Sequence, residues 1–493
     1  MIDGHFFLPA DYVSRHEPEY YDDAASHNIG VLFQPEIMPI AELLLAGTGR
    51  KRLVDIGTGN GTKLVGAAAQ EKLGIDFGSN LDYCITHHGN AAEWRACDLG
   101  GVIPQDLLEA IGPDDVVVCS DVIEHLPDPS SLLHLLRAAY EAGALVITST
   151  PERVLVRGAD HLGPPPNAAH VREWSLSEYR AMLSAVGLPP LFAGLTLNND
   201  RDDLLRTIVS LHEPRLQSRF VPATSRPLAI ISTFNEADII DEVIERWLHQ
   251  GCDVHVLDNW STDETWARLE RLADKFGAHM VLERFPAVET TRGSWVDILT
   301  RKEEIAFCHK GRWILHSDAD EIRAAPFKSL TLADALQQVQ EAGWNRVDFT
   351  VLNHRPVNNQ RYLSGHSLGA LSHFEFGTKP GHFLQKKAWL QGSERVHLTS
   401  SGGHEAGFST ARDCPYKFVL HHFPLRSQEH GRRKILRERY PRWTEKEFNE
   451  LGWHHHYDDM QDHEMIWNAG ELAEFKDGWW EMHGLQIITG LRR

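Results

Sequence analysis

The sequence predicts an α/β protein of two domains, each built on a largely parallel sheet. Three observations lead there. Short apolar strands alternate with helical segments twice over, once from Leu53 to Ser210 and again from Pro227 onward. That alternation is the pattern of strands joined through covering helices. Between the two runs, residues 213–226 carry Pro214 and Pro222 among mixed polar residues, which reads as a linker. In both runs the strands end in acids, and open α/β sheets bind ligands beyond the carboxyl ends of their strands. A chain of 493 residues is also too long for one core. The expected domains are therefore 1–212 and 227–493, joined by 213–226.

The bulk numbers remove whole classes of function. A net charge of −20 argues against broad attraction to nucleic acid or an anionic membrane. Any anionic ligand must be held locally, by arginines, lysines, backbone amides or a metal. Cys84, Cys97, Cys119, Cys252, Cys308 and Cys414 are scattered without Cys-x-x-Cys spacing, so reduced thiols in a cytoplasmic protein are expected. The first twenty residues lack a basic start followed by an apolar run, so no signal peptide is evident. No apolar run reaches the length of a transmembrane segment. His454, His455 and His456 have no partner at metal-ligand spacing and read as surface residues.

The first run opens with Leu53-Val54-Asp55-Ile56-Gly57-Thr58-Gly59-Asn60-Gly61-Thr62, a strand, a glycine turn and the start of a helix expected over Lys63 to Gln70. Glycines there permit a tight turn and close approach of a ligand to the backbone. A second strand ends in Asp76, a third in Asp98, and a fourth runs into Ser120-Asp121-Val122-Ile123-Glu124-His125. Ala144 to Thr148 is the fifth, and the segments beginning at Leu191 and Leu205 read as a closing pair. The spacing Gly-x-Gly-x-Gly departs from the dinucleotide fingerprint. Acids at three successive strand ends would suit a ligand carrying an ammonium, a ribose diol and an adenine amine.

Residues 51–212 resemble a class I S-adenosylmethionine-dependent methyltransferase of the small-molecule type. The resemblance rests on VDIGTGNGT (54–62), GID (74–76), ACDL (96–99), VVCSDVIEHLPDP (117–129) and HVREWSLSEYRAMLSAVGL (170–188). It implies that Gly57 and Gly59 line the methionine part, Asp76 takes the ribose hydroxyls, Asp98 meets the adenine amine, and Asp55 orients the glycine loop and reaches the ammonium. Methylation of a hydroxyl needs a base, and histidine is the side chain best poised for that at neutral pH. His125 is the candidate, with His161 and His170 flanking a Gly-Pro-Pro-Pro-Asn loop that could cover the acceptor.

In the second run, Pro227 to Ser232 and Asp253 to Asp258 are strands, and a third precedes Glu283-Arg284-Phe285-Pro286. A helix around Arg301 to Lys310 leads into Trp313-Ile314-Leu315-His316-Ser317-Asp318-Ala319-Asp320-Glu321. On a strand Asp318 and Asp320 would share one face. Two such carboxylates call for a hard divalent cation, which keeps positions open for phosphate oxygens. His421 and His422 lie on a late strand, where a histidine could complete the metal shell. Arg426, Arg432, Arg433 and Lys434 could meet phosphates or form a solvated basic face.

The order STFNEADII, VLDNWSTDET, WILHSDADE resembles the nucleotide-sugar half of a GT-A glycosyltransferase similar to family 2. The resemblance implies that Asp258 contacts the base, that Thr233 and Glu236 sit around base and ribose, with Arg284 on the donor side, and that Asp318 and Asp320 hold Mn2+ or Mg2+ on the donor diphosphate, with His422 as a third metal ligand. An acceptor-side base is expected at Glu405 or His404, with Glu375 and Asp413 as alternatives. The two resemblances together imply one enzyme of glycan or glycoconjugate synthesis with two activities. One transfers a sugar from a nucleotide-sugar donor to a glycan or glycolipid, with metal help and inversion. The other methylates a sugar hydroxyl. The alternative is that one domain is catalytic and the other a docking module.

Overall fold

A computed structural model describes residues 6–23, 30–216, 225–290, 292–327, 330–358, 368–378, 383–451, 453 and 465–492. The chain divides into two compact units, 1–218 with 480–493, and 219–479.

The first unit is built on seven strands: β1 (Arg52–Ile56), β2 (Glu71–Asp76), β3 (Glu93–Ala96), β4 (Asp115–Ser120), β5 (Leu145–Pro151), β6 (Phe192–Leu197) and β7 (Leu205–His212). Their order is β3-β2-β1-β4-β5-β7-β6. β1 to β5 run parallel, and β7 is antiparallel to both β5 and β6. Strand order reverses between β1 and β4, which opens the crevice where such sheets take ligands. The register sets Asp55 opposite Gly74 and Ile56 opposite Ile75, so the acids of β1 and β2 arrive at the same end. Val54, Ile56, Leu73, Ile75, Val117 and Val146 are fully buried, packed with Leu132, Leu136, Trp174, Met182 and Leu183. The helix Leu176–Ala185 starts at a capping box, Ser175 with Glu178, which satisfies amides that the helix itself leaves free.

Three expectations change here. The helix foreseen over 63–70 is a single turn, Thr62–Gly66, because Ala67 takes an extended conformation and the Ala68 amide donates to Glu42 instead. The start of the expected linker belongs to the first unit: Glu213 is buried in a two-point ion pair with Arg50, each contact 2.9 Å. The second domain does not run to the end of the chain. The helix Trp479–Thr489 packs on β6, with Trp480 edge-on to Phe192. A Cβ at Gly194 would come within 2.6 Å of the Glu481 carbonyl and one at Gly484 within 2.5 Å of Phe192, so both glycines are needed for that approach.

The second unit holds β8 (Leu228–Thr233), β9 (Asp253–Asp258), β10 (Met280–Arg284), β11 (Trp313–Asp318), β12 (Glu321–Ala324), β13 (Arg346–Val347), β14 (Phe349–His354), β15 (His373–Phe376), β16 (Ala388–Leu390), β17 (Phe418–His422) and β18 (Ala473–Glu474). Six form a sheet of order β10-β9-β8-β11-β16-β13, and a smaller sheet runs β12-β17-β14-β15-β18. β8, β9, β10 and β11 are parallel, and β16 is antiparallel to β11. The central strands β8 and β11 are almost wholly buried, with Leu228, Ile230, Leu257, Ile314 and Trp389 in one cluster. The shared face expected for Asp318 and Asp320 is corrected. β11 ends at Asp318 and β12 begins at Glu321, so Asp320 sits in the turn between them and strand alternation does not set its direction. Among the described residues no helix is long and apolar enough to cross a membrane. His454 to His456 lie outside the described residues.

Candidate functional sites

In the first unit the glycine turn follows β1. Gly57 and Gly59 have φ of 72° and 59°, conformations that side chains rarely adopt. A Cβ at Gly57 would lie 2.4 Å from Val122, and one at Gly59 2.5 Å from the Asp23 carboxylate. Asp23 also accepts from the Asn60 amide at 3.0 Å, and the Tyr20 hydroxyl donates to the Phe77 carbonyl at 3.1 Å. The segment before the first helix therefore closes over the turn. The run Glu-Pro-Glu-Tyr-Tyr-Asp-Asp was its only trace in the sequence.

Asp55 is buried and accepts from Thr58 Oγ1 at 2.8 Å. Burial pushes its carboxyl up to about 6. Asp76 accepts from the Gly59 amide at 2.7 Å and the Phe77 amide at 2.8 Å, and burial likewise pushes it up to about 6. Both carboxyls are thus made unhappy as anions, which a cationic or hydroxyl-bearing ligand would relieve. Asp98 is exposed and accepts from the Gly100 amide at 3.0 Å. A backbone cradle beside two buried carboxyls fits the ribose and amino-acid ends of S-adenosylmethionine.

Beyond β4, His125 hydrogen-bonds the Ala169 carbonyl at 3.0 Å through Nδ1. A carbonyl only accepts, so Nδ1 holds the proton and Nε2 is the basic nitrogen. Burial pushes this imidazole down to about 4, with the neighbouring His170 adding to the shift. It is therefore neutral at pH 7. His170 stands edge-on at 4.8 Å, its Nδ1 held by Glu173 at 2.8 Å. Glu124 is fully buried. One of its oxygens accepts from Thr150 Oγ1 at 3.0 Å, and Oε1 has no hydrogen-bond partner among the described residues. Ligand atoms of Glu124, His125 and His170 all lie within 4.8 Å of one another. With both imidazoles oriented through a second hydrogen bond, this set could hold a divalent cation or a polarised hydroxyl. His161, the third expected histidine, is outside that group and instead meets the Gly163 amide. Glu124 was missed because a buried glutamate one residue before a histidine has no distinctive spacing.

In the second unit Asp318 accepts from Ser232 Oγ at 2.9 Å, and Lys302 Nζ stands 4.0 Å from it. Lys302 is fully buried. It donates to Ser232, His316 and the Ser317 carbonyl at 2.8–2.9 Å, and burial pushes it down to about 7. Asp320 is bound by Lys434 at 2.7 Å, with His422 Nε2 at 3.9 Å. His422 Nδ1 meets the Asn353 side-chain oxygen at 2.8 Å, so Nε2 is left as the metal-ready nitrogen. Asp320 and His422 thus approach each other, but the ligand atoms of Asp318, Asp320 and His422 do not all gather within 4.8 Å of one another. Asp318 leans to Ser232 and Asp320 to Lys434. The donor set, two carboxylates and an imidazole, suits Mn2+ or Mg2+.

Glu236 is bound by Arg426 and by Lys434 at 3.2 Å. Burial alone would raise its carboxyl, but these cations more than offset that and bring it down to about 2. It is therefore a fixed anion held by two cations. Asp258 accepts from the Ser261 amide and hydroxyl, with Arg284 at 4.0 Å. Arg284 lies over both Trp260 and Trp266, 4.7 and 4.3 Å from the ring centres. Thr233, the last residue of β8, is buried, and its hydroxyl has no hydrogen-bond partner among the described residues.

The expected bases are otherwise engaged. Glu405 pairs with Arg346 at 3.0 Å and Lys386 at 3.6 Å. Asp413 pairs with the same two cations, and Glu375 with Arg355 at 2.7 Å. These carboxylates cross-link strands and loops. His404 Nδ1 lies 3.1 Å from the Gln385 amide nitrogen.

A methyltransferase-domain model matches residues 34–191, and a glycosyl transferase family 2 model matches residues 228–285. Among curated proteins, the ubiquinone biosynthesis O-methyltransferase of Aromatoleum aromaticum is 28% identical over 193 residues, covering 32% of this chain and 76% of that protein. The protein of the same name from Bordetella avium is 30% identical over 168 residues, covering 31% of this chain and 67% of its own length. Among solved structures, a methyltransferase from Anabaena variabilis aligns over 42% of this chain and 99% of its own, at 14% identity and a TM-score of 0.31. One from Aquifex aeolicus aligns over 39% and 98%, at 16% identity and a TM-score of 0.27. Through residues 34–191, the chain belongs to the methyltransferase-domain family.

Proposed function

We propose that the chain is a transferase with two activities on a glycan or glycoconjugate. The first unit methylates a hydroxyl from S-adenosylmethionine, and the second transfers a sugar from a nucleotide-sugar donor. The observation that carries the first half is the pair of buried carboxyls, Asp55 and Asp76, beside a glycine turn that only glycine can make. S-adenosylmethionine, when bound, supplies an electrophilic methyl on a positively charged sulfur. Asp55 receives the ammonium end, Asp76 the ribose hydroxyls, and Asp98 the adenine amine. His125, neutral and with Nε2 unprotonated, takes the acceptor's proton. Glu124 and His170 orient the acceptor oxygen beside it. The names of the curated relatives, which are O-methyltransferases, support methylation at oxygen.

The second half is supported by the short family match and by acids gathered at the ends of β8, β9 and β11. Asp258 and Arg284, with the two indoles, would hold the base. Asp318, Asp320 and His422 would hold a divalent metal, which supplies charge neutralisation for the departing diphosphate. Lys302 positions Asp318 through Ser232.

The test uses purified protein with acceptor. S-adenosylhomocysteine should be released from S-adenosylmethionine, and nucleoside diphosphate from one of UDP-, GDP- or dTDP-sugars with Mn2+ or Mg2+. Asp76→Ala should lower only the first release, and Asp318→Ala with Asp320→Ala only the second. Loss of both releases from either change would replace two sites with one composite site.

A further inference from the structure

The carboxylates around the β11 turn are already neutralised within the protein. Asp318 faces Lys302, Glu236 faces Arg426, and Glu321 is held by Arg323 at 2.8 Å and Lys387 at 3.1 Å. Asp320 faces Lys434, which also reaches Glu236. A divalent cation binds where carboxylates are in excess of positive charge. Here it meets a full set of internal cations, so one of them must leave for it to enter.

The burial of the cations says which one. The side chains of Lys302, Arg323 and Arg426 are 0% exposed and that of Lys387 5%, whereas Lys434 is 27% exposed. The first four are locked by packing. Lys434 stands on a short turn of π-helix, Arg432–Glu438, and carries the charge on a flexible four-carbon stem. Its ammonium and the imidazole of His422, the third group of the metal set, also lie against the same Asp320 oxygen.

We infer that Lys434 is the resident counter-ion of the diphosphate-metal site, giving up Asp320 when the metal arrives and passing its ammonium to the donor's diphosphate. The inference rests on the sugar-transfer reading of the second unit. No bond is made or broken in this exchange. A metal ion replaces an ammonium on Asp320, and a phosphate oxygen replaces the carboxylate on Lys434. Lys434 thereby acts twice, keeping the empty acidic site from repelling itself and then balancing the charge of the diphosphate. One consequence is that metal and donor should bind together much better than either does alone, because each removes the partner that the other must displace.

Full-length protein carrying Lys434→Met tests this by Mn2+ binding, followed by the electron paramagnetic resonance of free Mn2+ without any nucleotide. Removing the competing ammonium should tighten Mn2+ binding about tenfold or more. It should also enlarge the rise in melting temperature that Mn2+ gives. UDP and GDP binding in the presence of Mn2+ should weaken in the same variant. Lys434→Arg, which keeps the charge, should hold Mn2+ affinity near that of the unaltered protein and guards against misfolding as the cause. Unchanged or weaker Mn2+ binding in Lys434→Met overturns the inference. The control Asp318→Asn should lower Mn2+ binding in both backgrounds. If neither protein binds Mn2+, UDP or GDP, the sugar-transfer reading itself fails and the inference with it.

Discussion

The two units set acids at the ends of parallel strands in the same way, yet Glu236 of the second is treated in the opposite fashion to Asp55 and Asp76 of the first. In the first, Asp55 and Asp76 are buried against hydroxyl and amide donors, and their carboxyls are pushed up to about 6. In the second, burial likewise pushes Asp258 and Asp320 up, but Glu236 is buried against Arg426 and Lys434, and its carboxyl comes down to about 2. A carboxylate left without a cation is a waiting place for a positively charged ligand. One already paired belongs to a site that must hold negative charge. The sheet decides where the acids stand, and the partners decide which ligand charge they favour.

The largest test of that contrast is removal of the acids themselves. Asp318→Ala with Asp320→Ala should lower sugar transfer by at least about a hundredfold, read as nucleoside diphosphate release. S-adenosylmethionine binding should move by less than about twofold, since sites that share no partners act additively. Asp76→Ala should do the reverse.

Stability should separate the two units next. Arg426→Met leaves buried Glu236 and half-buried Asp238 without their guanidinium, and should cost about 3 kcal/mol or more in urea unfolding. Asp55→Asn removes a buried charge that has no such partner, and should change stability by less than about 1 kcal/mol or raise it. Equal losses would break the comparison.

A third test is pH. On the proposed roles Asp55 and Asp76 are both needed as anions, so affinity for S-adenosylmethionine should fall about tenfold for each, about a hundredfold together, as pH drops from 7 to 5 through the raised values near 6. Stability of the ligand-free protein should move the other way. A carboxyl raised from 3.8 to about 6 takes up protons in the folded state first, so the fold gains stability as pH falls between those values. Thermal melts of the unaltered protein against Asp76→Asn should show that gain. The smallest effect is expected at Glu405→Gln, where an ion-paired cross-link is weakened and sugar transfer should change by about twofold or less. A larger loss would restore Glu405 as a base.

How much of this could be read in the sequence follows from distance along the chain. The glycine turn after β1, the acids closing β1, β2 and β9, and the strands themselves are local patterns, and residues 54–62 carry both the turn and its ligand face. Asp320 was placed wrongly because the strand ends at Asp318, two residues before it, and a turn intervenes. The pairing of Lys434 with Asp320 spans 114 positions and that of Arg426 with Glu236 spans 190, so no spacing rule could reveal either. Their cationic character was visible, but not whom they neutralise. Glu124 and His170 come together for the same reason, through a fold that returns residue 170 to the end of β4.

The helix Trp479–Thr489, seated on β6, has a consequence for synthesis. The first unit begins to emerge from the ribosome early, but its edge strand cannot be covered until residues 480–493 have also emerged. Residues 219–479 are released whole in between, so the unit that starts first is completed second. At about 5–20 residues per second, the interval is roughly 13 to 52 seconds. A nascent chain halted after residue 479 should therefore show a protease-resistant second unit and a β6 region still open to cleavage, and addition of the remaining residues should close it.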